Sequence, residues 1–315
     1  MRAHHTPDPK RTTGRISRVC ALGALAVVVW ACATGWGGIT HGHPAYAVLL
    51  ALTTLLSIGV LISAGTRDHR RGRWRMAGRI ITVTLAIVGI AVVGWLRPHS
   101  ATDPSLTAMT SSPDVTVTET ATSITFIPAD GDERVGLFFQ PGALVDARAY
   151  AATLRPVAES GTTVVIAKQP LGIAFLALRA FDATRSAHPL IDEWVIGGHS
   201  LGGTVAAQLA ATERTVSGLI LFASYPASDI SDADIVALSV FGTRDGLSTP
   251  NKIAASRPDL PDGTEFVEIH GASHAQFGDY GTQRGDGTPT IDDNDARHQI
   301  SRAAVDIVNA IVTTR

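Results

Sequence analysis

Three apolar runs dominate the first third of the chain: residues 19–36, 45–64 and 80–96 contain no Asp, Glu, Lys or Arg. Each has the length of a helix that crosses a bilayer. Beyond residue 115 the pattern changes to short apolar runs alternating with amphipathic stretches. Residues 115–126 alternate β-branched and polar positions as a hairpin or a pair of edge strands does, and 135–139 is a short apolar strand. Residues 148–159 predict an amphipathic helix ended by Gly161, 162–167 a buried strand, and 172–186 another helix. Further strands are expected at 194–196, 217–223, 235–241 and 265–269, with an Ala-rich helix over 204–212 and a last helix over 296–313. Continuous apolar strands separated by helices predict a mostly parallel sheet covered on both faces.

Composition agrees with this division. A mean hydropathy of +0.19 with 17% charged residues is unusual for a soluble protein of 315 residues, and the excess lies in the three runs. Arginine placement orients them. Arg2, Lys10, Arg11, Arg15 and Arg18 precede the first run, and Arg67, Arg70, Arg71, Arg73, Arg75 and Arg79 fill the second connection, whereas residues 37–44 carry only histidines. By the positive-inside rule the N-terminus and the Arg-rich connection are cytoplasmic, so three spans deliver everything after Arg97 to the outer side of the cytoplasmic membrane. Trp30, Trp36, Trp74 and Trp95 lie near span ends, as interfacial aromatics do. A cleaved signal peptide is the competing reading of the first run, but its basic leader is long and two more runs follow. Cys20 and Cys32 both fall in that run, so the outer domain has no cysteine with which to form a disulfide. The expected organisation is a basic N-terminus over 1–18, a three-span membrane domain over 19–96, a flexible Pro/Ser/Thr/Asp-rich linker over 97–115 and a catalytic domain over 116–315.

The candidate chemistry begins at Gly198-His199-Ser200-Leu201-Gly202, which follows an apolar strand and opens a helix. A chain of this composition holds a Gly-x-Ser-x-Gly by chance roughly one time in five or six, so the pentapeptide matters only through its context. Strand, tight turn and helix form that context: Ser200 sits at the tip of a nucleophile elbow, with Gly198 and Gly202 permitting close backbone approach. Asp245 and His274 each follow a strand of their own, giving the order Ser, Asp, His. A serine hydroxyl needs a neutral imidazole to take its proton, and the imidazole needs a carboxylate to fix its tautomer. The backbone N–H of Leu201 and that of Ala143, in the loop after the strand at 135–139, are the expected oxyanion donors. Lys168, just past its own strand, is a possible substrate-binding residue or a solvated turn lysine. His199 lies inside the elbow, where it cannot act as the base toward Ser200.

Residues 135–312 resemble the α/β-hydrolase superfamily, and more narrowly its small, capless, dienelactone-hydrolase-like bacterial members. Beyond the elbow the resemblance is carried by Gln140-Pro141-Gly142-Ala143-Leu144-Val145, by Gly242-Thr243-Arg244-Asp245-Gly246-Leu247, and by the stretch from His274 through Gly281. It implies a Ser200, Asp245, His274 triad. The better-known dienelactone hydrolases have a cysteine nucleophile where this chain has Ser200, so their lactone substrates do not carry over. No long insertion separates Ala223 from Asp245, so an open cleft is expected, walled by the Gly- and Asp-rich loop over 279–293. The acids of that loop lack the regular spacing of a calcium site. The expected function is a membrane-anchored serine hydrolase acting on a small acyl ester, a thioester or an envelope lipid, with the bilayer as partner and no cofactor, metal or nucleic acid. An acyltransferase would use the same residues, and a non-catalytic signalling or assembly protein would have no need of the triad.

Overall fold

The computed structural model describes residues 9–63, 73–131 and 134–313, with side chains from 15–63, 81–131 and 134–313. Arg2, Arg67, Arg70 and Arg71 lie outside the described residues, as do the side chains of Lys10, Arg11, Arg73, Trp74, Arg75 and Arg79. Three helices come first: α1 (Pro9–His41), α2 (Pro44–Ser63) and α3 (Arg73–Trp95), with α1 packed against both of the others. Among the described residues two stretches are long and apolar enough to cross a membrane, Arg15–His41 and Pro44–Ser63. The third expected span is represented among the described residues by the shorter apolar stretch Ile81–Trp95 of α3. The α1–α2 turn and the end of α3 lie together. The Tyr46 hydroxyl of α2 donates to the Val93 carbonyl of α3 at 2.8 Å, and Arg97 donates to the Thr34 carbonyl at 3.1 Å while stacking on Trp30.

The rest of the chain builds one eight-stranded sheet in the order β1-β2-β4-β3-β5-β6-β7-β8. Strands β1 (Val115–Glu119) and β2 (Ser123–Pro128) are the expected hairpin, and β2 runs against both its neighbours. From β4 (Thr163–Ala167) and β3 (Val135–Gln140) through β5 (Glu193–His199), β6 (Val216–Phe222), β7 (Val236–Gly242) and β8 (Glu265–Ile269) every pairing is parallel. The central strands are buried along their length because helices cover both faces, which is why they read as unbroken apolar runs. On one face α5 (Ala151–Glu159) and α9 (Asp293–Thr313) cover Phe139, Ile220 and Val240; on the other, α6 (Ala180–Ala187) and α7 (Leu201–Ala210) cover Phe138, Trp194 and Ile196, and the short helix α8 (Pro250–Ala255) lies between β7 and β8 in the chain.

Two expectations fail here for physical reasons. The helix expected over 172–186 begins only at Ala180. Leu171 and Gly172 are left-handed, at φ 55° and 66°, so the chain makes the 3-10 turns Pro170–Gly172 and Ala174–Ala177 first. The segment 97–115 is no flexible tether. His99 forms a parallel bridge with Val145, the Ala101 N–H donates to Asp146 Oδ2 at 3.2 Å, and Thr102 donates to the Asp279 carbonyl at 2.8 Å. The short helix α4 (Ser105–Ala108) is then pinned by the Ser105 hydroxyl, which donates to Asp279 Oδ2 at 2.6 Å. The Ala101 and Thr102 N–H groups and the Ser105 hydroxyl thus dock the segment on the domain.

Candidate active site

Ser200 stands between β5 and α7 with φ 51° and ψ −123°, a conformation that costs a β-carbon-bearing residue on the order of 1–3 kcal/mol and is held by its surroundings. Its N–H donates to the Phe222 carbonyl at 3.0 Å and its carbonyl accepts from the Ser224 hydroxyl at 2.6 Å, so β6 fixes the elbow from the side. The two glycines are sterically required. A Cβ on Gly198 would strike the backbone of Gly202, and one on Gly202 would strike the carbonyl oxygens of Gln140 and Pro141. The turn is therefore compressed against the loop that follows β3.

Asp245 and His274 meet. Both are buried, and His274 Nδ1 lies 2.8 Å from Asp245 Oδ2. The other oxygen of Asp245 accepts the N–H groups of Leu247 and Ser248, each at 2.7 Å, so the carboxylate is fully occupied and aimed. With Nδ1 donating to a carboxylate, the lone pair of His274 resides on Nε2. That nitrogen is buried and makes no hydrogen bond among the described residues, and neither does the half-buried Ser200 hydroxyl. The His199 ring lies 4.5 Å from that of His274, which sets the elbow beside the histidine turn without closing a Ser200–His274 bond. Serine–histidine bonds of this kind commonly tighten only around substrate.

The loop after β3 brings its amides to the same edge of the sheet. The Gly142 N–H goes to the Tyr150 hydroxyl at 2.9 Å, that of Leu144 to the Gly172 carbonyl at 2.8 Å, and that of Val145 to the Gly142 carbonyl at 3.2 Å. Ala143 is thus the loop residue whose N–H is unengaged among the described residues, and Leu201, the first residue of α7, likewise keeps its amide free of the helix ladder. Gln169 braces the loop by donating to the Pro141 carbonyl at 3.0 Å. Lys168 takes no part in this. Its ammonium donates to Glu119 Oε1 at 2.7 Å and to the Thr120 carbonyl at 2.6 Å, which commits its charge to the β1–β2 turn rather than to a substrate.

Two groups of residues here carry no local sequence signal. Tyr150 accepts from Gly142 and sits 2.9 Å from His199 Nδ1, tying the elbow to the loop after β3. Burial, and then the neighbouring His274, push His199 well below the ordinary histidine range, so it stays neutral. Asp286, in the loop expected to wall the site, is a clamp. Its Oδ1 accepts the N–H of Gly246 at 3.1 Å, of His274 at 3.0 Å and of Gly287 at 2.7 Å, and its Oδ2 that of Ala275 at 2.8 Å. Partial burial opposes its charge, but these backbone donors outweigh it and hold the carboxyl below its usual range. One carboxylate thereby ties the turn of Asp245 to the turn of His274. Among the described residues there is no cluster of three or more His, Cys, Asp or Glu side chains arranged to hold a metal ion.

Residues 136–298 match the family model described as the alpha/beta hydrolase family. Solved structures similar to the chain include Thermogutta terrifontis esterase 2 phosphonylated by sarin (15% identity, 64% of this chain, 96% of that one, TM-score 0.47). Est1E from Butyrivibrio proteoclasticus is another (13% identity, 64% of this chain and 99% of that one, TM-score 0.46). A third is an alpha-beta serine hydrolase homologue from Coxiella burnetii (15%, 61% and 98%, TM-score 0.44). No curated protein matches the chain.

Proposed function

The chain belongs to the alpha/beta hydrolase family, and on that footing we propose that it is a membrane-tethered serine hydrolase whose catalytic domain works outside the cytoplasmic membrane. Its substrate is a carboxylic ester or thioester of a small acyl compound or of an envelope lipid. Ser200 is the nucleophile. His274 Nε2 takes the Ser200 proton as Oγ bonds to the acyl carbon, and Asp245 holds the imidazolium that forms. The oxyanion accepts from the N–H groups of Leu201 and Ala143, next to the positive end of α7. Nε2 then passes its proton to the departing alkoxide or thiolate, and the acyl-Ser200 is hydrolysed by a water deprotonated at the same nitrogen.

The observation that carries this reading is the division of labour on His274: Nδ1 is committed to Asp245 at 2.8 Å and Nε2 has no hydrogen bond among the described residues, with the His274 ring 4.5 Å from that of His199, the residue before the strained Ser200. Three helical segments, two of which are long and apolar enough to span among the described residues, support the tether. The shared location of the α1–α2 turn and the α3 end, both against the sheet domain, supports an odd number of crossings with the domain on the side opposite the N-terminus. Turnover of p-nitrophenyl esters of increasing acyl length by the full chain is the test. Ser200→Ala should lower kcat by at least about 10³-fold, and a variant as active as the parent overturns the assignment.

A further inference from the structure

The segment after β4 is built inside out for a water-exposed surface. In the turn Ala174–Ala177 and the residues after it, the side chains facing the domain are the small ones, Ala174 and Ala177. The large apolar side chains face outward: Phe175 is 46% exposed, Leu176 53% and Leu178 45%. Other large apolar side chains exposed on the sheet domain, such as Ile127, Leu190 and Val236, are widely separated in sequence; these three fall within four positions, next to the exposed Arg179.

What lies beside them identifies the environment. Leu171 and Ile173, at the start of the same segment, pack into the cluster formed by the ends of the apolar helices, among Ile39, Leu50 and Leu96. Leu144, the neighbour of Ala143, packs there too. The carboxyl-terminal edge of the sheet therefore faces the helix ends. The segment also touches both parts of the candidate site: the Gly172 carbonyl accepts the Leu144 N–H at 2.8 Å, and the turn Ala174–Ala177 packs on α7, the helix that Ser200 opens.

We propose that Phe175, Leu176 and Leu178 insert into the outer leaflet and that Ser200 draws its substrate, an acyl ester of a bilayer lipid, across this apolar rim. The proposal rests on the hydrolase reading above for its substrate and on the helix contacts alone for its surface. Each inserted side chain removes apolar area from water, the usual driving force for shallow membrane burial, and Arg179 is placed to meet lipid phosphates.

Two measurements on the full chain, reconstituted in nanodiscs of equimolar phosphatidylcholine and phosphatidylglycerol, test the two halves. In a Cys20→Ala, Cys32→Ala background, a nitroxide on Phe175→Cys should be relaxed by dissolved oxygen and shielded from a water-soluble nickel chelate. The same label on Val236→Cys, at the opposite edge of the sheet, should show the reverse. A label at 175 that is as open to nickel as the one at 236 overturns the surface, whether or not the protein cleaves esters. For the substrate, Phe175→Ser, Leu176→Ser and Leu178→Ser combined should slow cleavage of a long-chain ester carried in the nanodisc by about tenfold or more. Cleavage of a water-soluble acetyl ester should stay within about twofold, since the segment faces the domain through Ala174 and Ala177, which the variant keeps. Equal effects on both esters, or none on the long-chain one, overturn the lipid assignment. A shielded label in a protein that cleaves neither ester overturns the hydrolase reading and the substrate with it, while the surface stands.

Discussion

Asp286→Asn removes one charge and no volume, and its effect can be worked out bond by bond. The carboxylate accepts four backbone N–H groups, three on Oδ1 and one on Oδ2. An amide oxygen in the Oδ1 position keeps three of them as neutral bonds. The amide nitrogen then faces the Ala275 N–H donor to donor, so that bond is lost outright. Charge-assisted bonds are roughly twice as strong as neutral ones, and losing one while weakening three at a half-buried, solvent-screened site amounts to about 1–3 kcal/mol. The cost falls on the two turns that hold Asp245 and His274, so the base shifts relative to Ser200, and a displacement of this kind lowers kcat by about 10–100-fold with little change in KM. The pH dependence has a definite sign. Asp286 is held below its unfolded-state pKa, so the stability it contributes is complete above the ordinary carboxylate range and is lost as pH falls through its lowered folded value. Thermal melts of the parent and the variant should therefore be separated at neutral pH and converge in strong acid. A variant with the parent's melting temperature at pH 7 and the parent's kcat would refute the clamp.

Asp245→Asn should leave the fold in place and reduce ester turnover by about 10⁴-fold, because an amide cannot hold the Nδ1–H tautomer or its charged form; a loss of less than about tenfold would remove Asp245 from the triad. Tyr150→Phe deletes the acceptor of the Gly142 N–H and the hydrogen-bond partner of His199 Nδ1, which should lower stability by about 1–2 kcal/mol and kcat by a similar free energy through a looser Ala143 loop. An unchanged kcat would show that the loop holds without it. Alkaline phosphatase fused after Arg315 should be active in intact cells, and activity confined to a cytoplasmic reporter at that position would overturn the three-crossing topology.

How much of this was legible in the sequence depends on how local each cause is. Ser200, Asp245 and His274 each follow a continuous apolar strand, and strand order delivers them to one edge of a parallel sheet, so the pattern alone singles them out as candidates. Asp286 and Tyr150 act through bonds to backbone amides far away in sequence, and nothing in their immediate neighbours predicts that. Lys168 looked like a cleft residue because it ends a strand, but its Glu119 partner lies on a different strand. The helix expected over 172–186 failed because apolar periodicity does not register the left-handed pair Leu171 and Gly172. The segment 97–115 has a linker's composition, yet the Ala101 and Thr102 N–H groups and the Ser105 hydroxyl find partners on Asp146 and Asp279.

The most direct test of the account is covalent labelling of the full chain in nanodiscs with a fluorophosphonate, followed by mass spectrometry of the adduct. The account predicts one adduct, on Ser200, formed rapidly by the parent and not by His274→Ala of equal thermal stability. A folded parent that stays unlabelled, or one labelled equally well without His274, would contradict it.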